Sequence, residues 1–106
     1  MSVISDLKNK KTMQMLDAFE KSKSVEVLLM FQKNKTWRTT DLLHEFKNEF
    51  GKFSYNTIRS RIDALVELGV LEAKVYDDSR NLEEYTITKL GTEVTEIFVA
   101  LIQLFK

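Results

Sequence analysis

Cysteine and proline are absent from this sequence, glycine occurs three times and histidine once. Without cysteine the chain can form no disulfide, and it offers neither a thiolate zinc site nor a cysteine nucleophile. The single histidine, His44, leaves too few ligands for a metal site and too little material for a catalytic triad. We also find no glycine-rich phosphate loop and no nucleophile–base pair. These absences argue against an enzyme, a bound metal or a cofactor.

Targeting and membrane signals are missing too. Residues 1–6 lack a basic segment followed by an apolar one, as a secretory signal would have. The longest apolar run, residues 97–102, is far shorter than the roughly 20 residues that cross a bilayer. We therefore expect a cytoplasmic protein that makes no contact with a membrane.

The length of 106 residues suits a single domain over 1–106, and 43% of the residues are hydrophobic. Area scaling gives roughly 6,000 Å² of exposed surface for the folded chain, against about 18,000 Å² unfolded, so a real core is expected. The net charge is zero, but residues 1–38 carry eight basic and four acidic residues, whereas residues 39–106 carry eight and twelve. Such segregation allows one basic face on a neutral protein.

A first helix is predicted over residues 5–22, with Ser5 as its N-cap. Its apolar side chains follow helical spacing only in part. The lysine-rich stretch at residues 8–11 interrupts that spacing and favours a start nearer Thr12.

A second helix is predicted over residues 24–33, with Ser24 as its N-cap and a broad apolar face. Residues 36–38 read as a short extended link after it. Trp37 in this link precedes the next helix, a position at which tryptophan is usually part of the core rather than a platform for a base.

Two further helices are separated by glycines. The third begins at Thr39 or Thr40 and ends before Gly51, and its buried side is marked by Leu42, Leu43, Phe46 and Phe50. The fourth covers residues 55–68, with Ser54 as N-cap and Gly69 after its last residue. Its apolar stripe consists of Ile58, Ile62 and Leu65, which lie within about 60° of one another on a helical wheel.

A β-hairpin and a last helix complete the chain. Residues 70–76 and 84–87 are rich in β-branched and aromatic side chains, and the polar cluster at residues 77–81 separates them as a turn. Thr88 is the expected N-cap of a helix that continues to about Phe105.

This order of elements resembles a winged helix-turn-helix domain over residues 24–91. The resemblance rests on Thr40-Asp41-Leu42-Leu43 opening a positioning helix, on the helix of residues 54–65, on Glu67-Leu68-Gly69-Val70-Leu71 leading into a strand, and on Tyr85-Thr86-Ile87-Thr88-Lys89-Leu90-Gly91, which is similar to the exit into the last helix of MarR-like and PadR-like regulators. It implies a mostly α fold with a β-hairpin wing, extended here by N-terminal and C-terminal helices. It also implies a DNA-binding transcription regulator.

The fourth helix has the polarity that a recognition helix needs. Asn56 and Ser60 fall opposite the apolar stripe, and Thr57 and Arg59 flank them. Asparagine can pair with adenine and arginine with guanine in the major groove, while Tyr55 could reach a phosphate or a thymine methyl group. The alternative is an ordinary solvent-exposed face. The expected DNA-binding residues are Lys52, Ser54, Tyr55, Asn56, Thr57, Arg59, Ser60, Arg38 and Arg80.

The hairpin would be the wing, with Arg80 at its tip able to enter a minor groove. Its charge opposes that role, because the acidic side chains Asp77, Asp78, Glu83 and Glu84 outnumber Lys74 and Arg80. Either the wing presents only Arg80 to DNA, or it does not touch DNA. Lys33, Lys35, Arg38 and Lys52 border the recognition helix and are candidates for phosphate contacts, although Lys33 and Lys35 suit a purely solubilising role equally well.

The last helix is apolar nearly all round, because Gln103 is the only polar residue between Ile97 and Phe105. Such a helix needs burial on more than one side, which favours a homodimer. The expected dimer interface comprises Leu16, Phe19, Val94, Ile97, Phe98, Leu101, Ile102, Leu104 and Phe105. The alternative is that the N-terminal helix covers the last helix within one chain.

Together these features predict a homodimeric regulator that binds double-stranded DNA at a roughly palindromic site. The alternative function is a winged-helix protein-interaction module without DNA binding, which the zero net charge and the acidic wing favour. The two differ in whether Lys52 and Arg59 form a continuous positive surface.

Overall fold

The computed structural model describes residues 3–77 and 82–106. Within these ranges the elements, in chain order, are α1 (Val3–Leu7), α2 (Lys10–Glu20), α3 (Ser24–Leu29), a 3₁₀ turn (Met30–Gln32), β1 (Thr36–Arg38), α4 (Thr39–Phe50), α5 (Tyr55–Glu67), β2 (Leu71–Asp77), β3 (Leu82–Ile87) and α6 (Lys89–Leu104). The predicted fold is confirmed: three central helices are followed by a hairpin wing and flanked by extra helices at both ends.

The N-terminal region holds two helices, so the prediction of one helix over residues 5–22 is wrong. Asn9 ends the continuity, because its side-chain oxygen accepts hydrogen bonds from the backbone N–H groups of Lys11 and Thr12 at 2.8 and 3.4 Å. An asparagine that caps a new helix in this way competes with helical hydrogen bonding across its own position. The new helix, α2, begins at Lys10.

The start and the end of α3 also differ from the prediction. Lys23, with a left-handed φ of 74°, is the N-cap residue, and Ser24 is a buried residue of the first turn. The helix tightens into the 3₁₀ turn at Met30 instead of continuing to Lys33. There the Met30 carbonyl accepts both the Lys33 N–H at 3.1 Å and the Trp37 indole N–H at 3.0 Å.

The segment predicted as an extended link is β1, a strand of the sheet. The strand order is β1-β3-β2, and β1 pairs antiparallel with β3, which places Trp37 opposite Tyr85. The hydroxyl groups of Thr36 and Thr86 lie 3.0 Å apart on the other face of the sheet. Trp37 is buried, as predicted.

The wing hairpin is longer than predicted, because β3 begins at Leu82 rather than at Glu84. It pairs with β2 from Leu71↔Ile87 to Asp77↔Leu82, with one irregularity after Val75. The predicted turn residues Asp78 and Arg80 lie outside the described residues.

The core forms where α3, α4 and α5 meet the sheet. Leu42 and Phe46 of α4 are buried, as predicted, and so is the stripe Ile58, Ile62 and Leu65 of α5. Phe50 was expected on the same buried side, yet it is largely exposed. It is 40% exposed, and its ring contacts the Phe46 ring at a centroid distance of 4.8 Å.

The start of α6 is fixed against the end of α5. The Thr88 hydroxyl accepts the Gly91 N–H at 3.0 Å and donates to the Gly69 carbonyl at 2.6 Å, so the predicted N-cap is confirmed. Gly91 lies directly over the backbone of Val70. A Cβ atom at Gly91 would be 2.1 Å from the Val70 carbonyl oxygen and 2.7 Å from Ile87 Cγ1.

This contact predicts that Gly91→Ala destabilises the protein by about 1–3 kcal/mol, because the added methyl group must push the helix off the strand. In an unobstructed helix the same change is stabilising by up to about 1 kcal/mol. The sign of the change in unfolding free energy therefore shows whether the close contact exists. Urea denaturation of Gly91→Ala beside Glu93→Ala, an exposed position two residues further along α6, measures the difference. Equal or greater stability of Gly91→Ala would contradict the close approach.

Candidate nucleic-acid interface

The outer face of α5 is polar and points into solvent. Burial of Ile58, Ile62 and Leu65 fixes how the helix is rotated about its axis. Asn56 and Ser60 therefore lie exposed on the opposite side, and Tyr55 at the start of the helix is 54% exposed. Thr57 and Arg59 occupy the half-buried flanks, as the helical wheel predicts.

The polar groups at the beginning of this helix are available to a ligand. Among the described residues, the side chains of Ser54, Asn56 and Ser60 have no hydrogen-bond partner. Ser54 is the N-cap residue by position, but its side chain forms no capping hydrogen bond, which corrects the prediction that it caps α5. Three unpartnered polar side chains thus lie on the first two turns.

The charge of the exposed face changes along the helix. Its second half carries the exposed carboxylates Asp63 and Glu67. Carboxylates are repelled by phosphates, so only the first two turns suit the surface of a nucleic acid. Recognition helices commonly contact bases with their N-terminal residues. In α5 the N-terminal half is the one whose exposed residues are uncharged or basic.

Arg59 was predicted as a base-reading residue, and the structure places its guanidinium in a network within the chain. Its Nη2 donates to Oε1 of Glu83 on β3, and its Nε lies 3.5 Å from Oδ1 of Asp63. The hydrogen bond to Glu83 raises the pKa of Arg59 above its ordinary value. The arginine therefore links α5 to the wing.

Sequence reasoning missed the role of Glu83, which it treated as one of four repulsive wing carboxylates. A signal was available, because alternation along β3 places Glu83 and Tyr85 on one face and Glu84 on the other. Tyr85 is buried, so Glu83 shares the face that packs towards the helices.

Glu84, which follows Glu83 in the wing, lies among basic residues of the sheet. Glu84 is in register with Arg38 of β1 on one side and with Lys74 of β2 on the other. Directly opposed residues of neighbouring strands lie within reach of each other, so opposite charges are favourable there. The negative charge of the wing is thus partly compensated. The predicted contact residue Arg80 lies outside the described residues.

The remaining basic candidates divide into exposed and partnered residues. Lys52, in the loop between α4 and α5, and Arg38, directly before α4, are exposed. Lys33 forms an ion pair with Glu49 of α4, and this hydrogen bond raises the pKa of the lysine. Both Lys33 and Lys35 are exposed, but of the two only Lys33 has an ion-pair partner in the described part of the chain.

A second candidate surface is the apolar face of α6. Ile97, Leu104 and Phe105 are 67%, 76% and 83% exposed, and the other largely exposed apolar side chains of this helix are Leu90, Leu101 and Ile102. Phe98 differs, because its ring contacts Phe19 of α2 at a centroid distance of 4.9 Å within the chain. Val94, Phe98 and Phe19 are partly buried against the core.

Other kinds of site find little support in the described part of the chain. It contains no cluster of three or more His, Asp or Glu side chains that could hold a metal ion. None of its helices is long and apolar enough to cross a membrane. A shallow cleft of about 260 Å³ lies between α2 and the end of α5, with an apolar floor of Ala18, Ala64 and Leu68 and a rim that includes Asp17 and Glu67.

The three-helix core, the outward polar face of α5 and the paired wing strands define a winged-helix transcription regulator. The chain belongs to the HxlR-like helix-turn-helix family, whose family model matches residues 21–106. It is therefore a DNA-binding regulator and not an enzyme, and the resemblance seen in the sequence is confirmed at the level of the fold and the class of protein.

Solved structures show the same fold. The reduced form of the transcriptional regulator YodB from B. subtilis matches with a TM-score of 0.66 and 16% identity, over 89% of this chain and 87% of that one. A Porphyromonas gingivalis W83 protein described as a MarR-family transcriptional regulator matches with a TM-score of 0.67 and 20% identity, over 91% and 89%. Among curated proteins, no relative matches the sequence.

The contrast between the two predicted caps can be measured. Ser54→Ala should change the free energy of unfolding by less than about 0.5 kcal/mol, because the hydroxyl group makes no capping bond. Thr88→Ala should cost about 1–2 kcal/mol, since it removes a capping acceptor. Chemical denaturation of both variants tests this, and a comparable loss in Ser54→Ala would show that its hydroxyl group is used within the fold.

Proposed function

We propose that this regulator binds double-stranded DNA sequence-specifically as a homodimer, with the first two turns of α5 in the major groove. Each chain acts as one domain over residues 1–106. Within it, residues 24–87 form the DNA-binding core, and residues 88–106 with the N-terminal helices form the contact between chains.

The observation that carries the proposal is the polarity of α5. One side is anchored by three fully buried aliphatic residues, and the other presents Tyr55, Asn56 and Ser60 without partners among the described residues. Asparagine offers a donor and an acceptor side by side, which matches the major-groove edge of adenine. The exposed Lys52 before the helix supplies positive charge for the phosphate backbone.

The dimer is supported by the surface that the single chain leaves uncovered. Its accessible surface is 7480 Å², whereas a monomeric protein of this mass exposes roughly 6,000 Å². Its Cα radius of gyration is 14.6 Å, against about 13 Å for a compact domain of this length. The excess agrees with a terminal helix whose apolar face is not covered within the chain.

A two-fold axis at α6 would present two copies of α5 to one face of a duplex. Two-fold dimers bind half-sites that are about one helical turn apart, or a multiple of a turn. The preferred site would then be approximately palindromic. The exposed basic residue Arg38, at the end of β1, would contact phosphates.

Asn56→Ala should weaken binding to the preferred duplex by about 1–3 kcal/mol per half-site and relax the base preference at one position of each half-site. Selection from a random duplex library identifies the site, and fluorescence anisotropy then measures the affinities. Lys52→Ala is the matched comparison. It should weaken binding to all duplexes alike and lower the salt dependence by about one counterion per chain, or about two for the dimer.

Two outcomes would contradict these expectations, one for Asn56 alone and one for the whole proposal. An unchanged base preference in Asn56→Ala would remove this residue from the reading surface. If the unaltered protein binds no duplex even at low salt, the proposal fails and the alternative of a protein-interaction module becomes the better account.

Ile97→Glu should convert the dimer into a folded monomer. Ile97 is largely exposed in the single chain, so a carboxylate there costs the fold little but would be buried in the dimer without a partner. Phe98 is less suitable for this test, because it packs on Phe19 within the chain. Sedimentation velocity measures the mass, and circular dichroism checks the fold.

Gln103→Glu is the control, since it adds the same charge at the polar position of the same helix. It should leave the dimer intact. A dimer that persists in Ile97→Glu would place the contact between chains elsewhere.

A further inference from the structure

Glu83 lies at a junction of three elements. Its carboxylate accepts a hydrogen bond from Arg59 of α5 through Oε1 and one from the Tyr85 hydroxyl through Oε2, the latter at 3.1 Å. Its backbone carbonyl lies 3.4 Å from the Thr39 hydroxyl, which donates from the first residue of α4. Both helices of the helix-turn-helix unit are thus joined to one residue of the wing strand β3.

This junction is sheltered from solvent. The side chains of Arg59 and Glu83 are 30% and 19% exposed, and Tyr85 beneath them is buried. Burial also raises the pKa of the Tyr85 phenol, so its hydroxyl group stays protonated as a donor to Glu83 over the physiological range. An arginine–carboxylate pair that is shielded in this way is stronger than one in free solution.

Releasing Arg59 to a base would leave Glu83 half-buried and without its cation. Breaking a sheltered ion pair by removing one partner is costly, because the remaining charge stays poorly solvated. The guanidinium is also bound by Asp63 on its own helix, 3.5 Å from Nε. A guanine contact would therefore have to replace two carboxylate contacts at once.

We propose that Arg59 and Glu83 form a clamp that fixes the wing relative to the recognition helix, so that Arg59 is a positioning residue and not a base-reading one. This inference rests on the proposed DNA-binding function and assigns a role within it. Reading of the bases then falls to Asn56, Ser60 and Tyr55.

The clamp matters because a winged helix meets a duplex at more than one point. The recognition helix and the wing fit neighbouring grooves only within a narrow range of distance and angle between them. Fixing that geometry in the free protein avoids an ordering cost on binding. Glu83, counted by charge alone as unfavourable for DNA binding, acquires a favourable role.

The first test needs no DNA. Because the sequence has no cysteine, Lys74→Cys on β2 and Glu67→Cys at the end of α5 accept spin labels at two exposed positions only. Lys74 lies on the opposite face of the sheet from Glu83, so its label does not touch the clamp. Labelled protein is mixed with excess unlabelled protein, so that the distance within one chain is measured. The distance distribution should broaden in Glu83→Gln and stay narrow in Glu72→Gln, which removes a carboxylate from the other face of the sheet. An unchanged distribution in Glu83→Gln would overturn the clamp.

The second test uses the selected duplex and its point variants. Glu83→Gln should bind about three- to tenfold more weakly than Glu72→Gln, although both lose one negative charge. Arg59→Gln should weaken binding to every duplex by a similar factor and leave the base preference unchanged. The double variant should bind no more weakly than Arg59→Gln, because the two residues act as a unit.

Two results would contradict the assignment. Relaxed preference at a single base pair in Arg59→Gln would show that Arg59 reads a base. Tighter binding in Glu83→Gln than in Glu72→Gln would show that Glu83 competes with DNA for the arginine. Failure of the unaltered protein to bind any duplex would instead refute the proposed function, and the spin-label distances would still decide whether the clamp exists.

Discussion

Burial of the aliphatic stripe on α5 is the constraint on which the rest of this structure depends. Ile58, Ile62 and Leu65 are completely buried, so the helix has only one rotation about its axis. That rotation sends Asn56 and Ser60 outwards and turns Arg59 sideways towards the wing. The same core holds α4 beneath α5 and receives Tyr85 from β3. The packing of three aliphatic side chains thus determines which polar side chains of α5 are exposed.

Much of the fold could be predicted because it is encoded by local patterns. The apolar stripe of α5, the glycines at 51 and 69 with their positive φ angles, and the Thr88 cap each act within a few residues. The failures concern contacts between distant segments. The strand β1 exists because it pairs with β3, some 50 residues later, and three residues cannot show that pairing in their own sequence. The break at Asn9 is the exception, because there capping by the asparagine side chain competes with helix continuation within three residues.

The candidate site, like the fold, could be predicted where it depends on local periodicity but not where it depends on a distant contact. The outward residues of α5 follow from periodicity, and the structure leaves the side chains of Asn56 and Ser60 without partners in its described part. The partner of Arg59 does not follow, because Glu83 is 24 residues away and reaches it only through the hairpin register. A charge count treated Glu83 and Glu84 alike, whereas strand alternation sends one towards the helices and the other towards the basic residues of the opposite face.

The uncovered apolar face of α6 has a consequence for how the chain is maintained in a cell. An exposed apolar surface contributes to stability only when a binding partner buries it. By mass action, that contribution grows with the concentration of the partner. In a chain without a partner, Ile97, Leu104 and Phe105 form an exposed hydrophobic patch. Such patches promote aggregation and degradation. In the proposed homodimer, dilution would separate the chains and expose this surface. The amount of active protein would then rise more steeply than in simple proportion to the amount expressed.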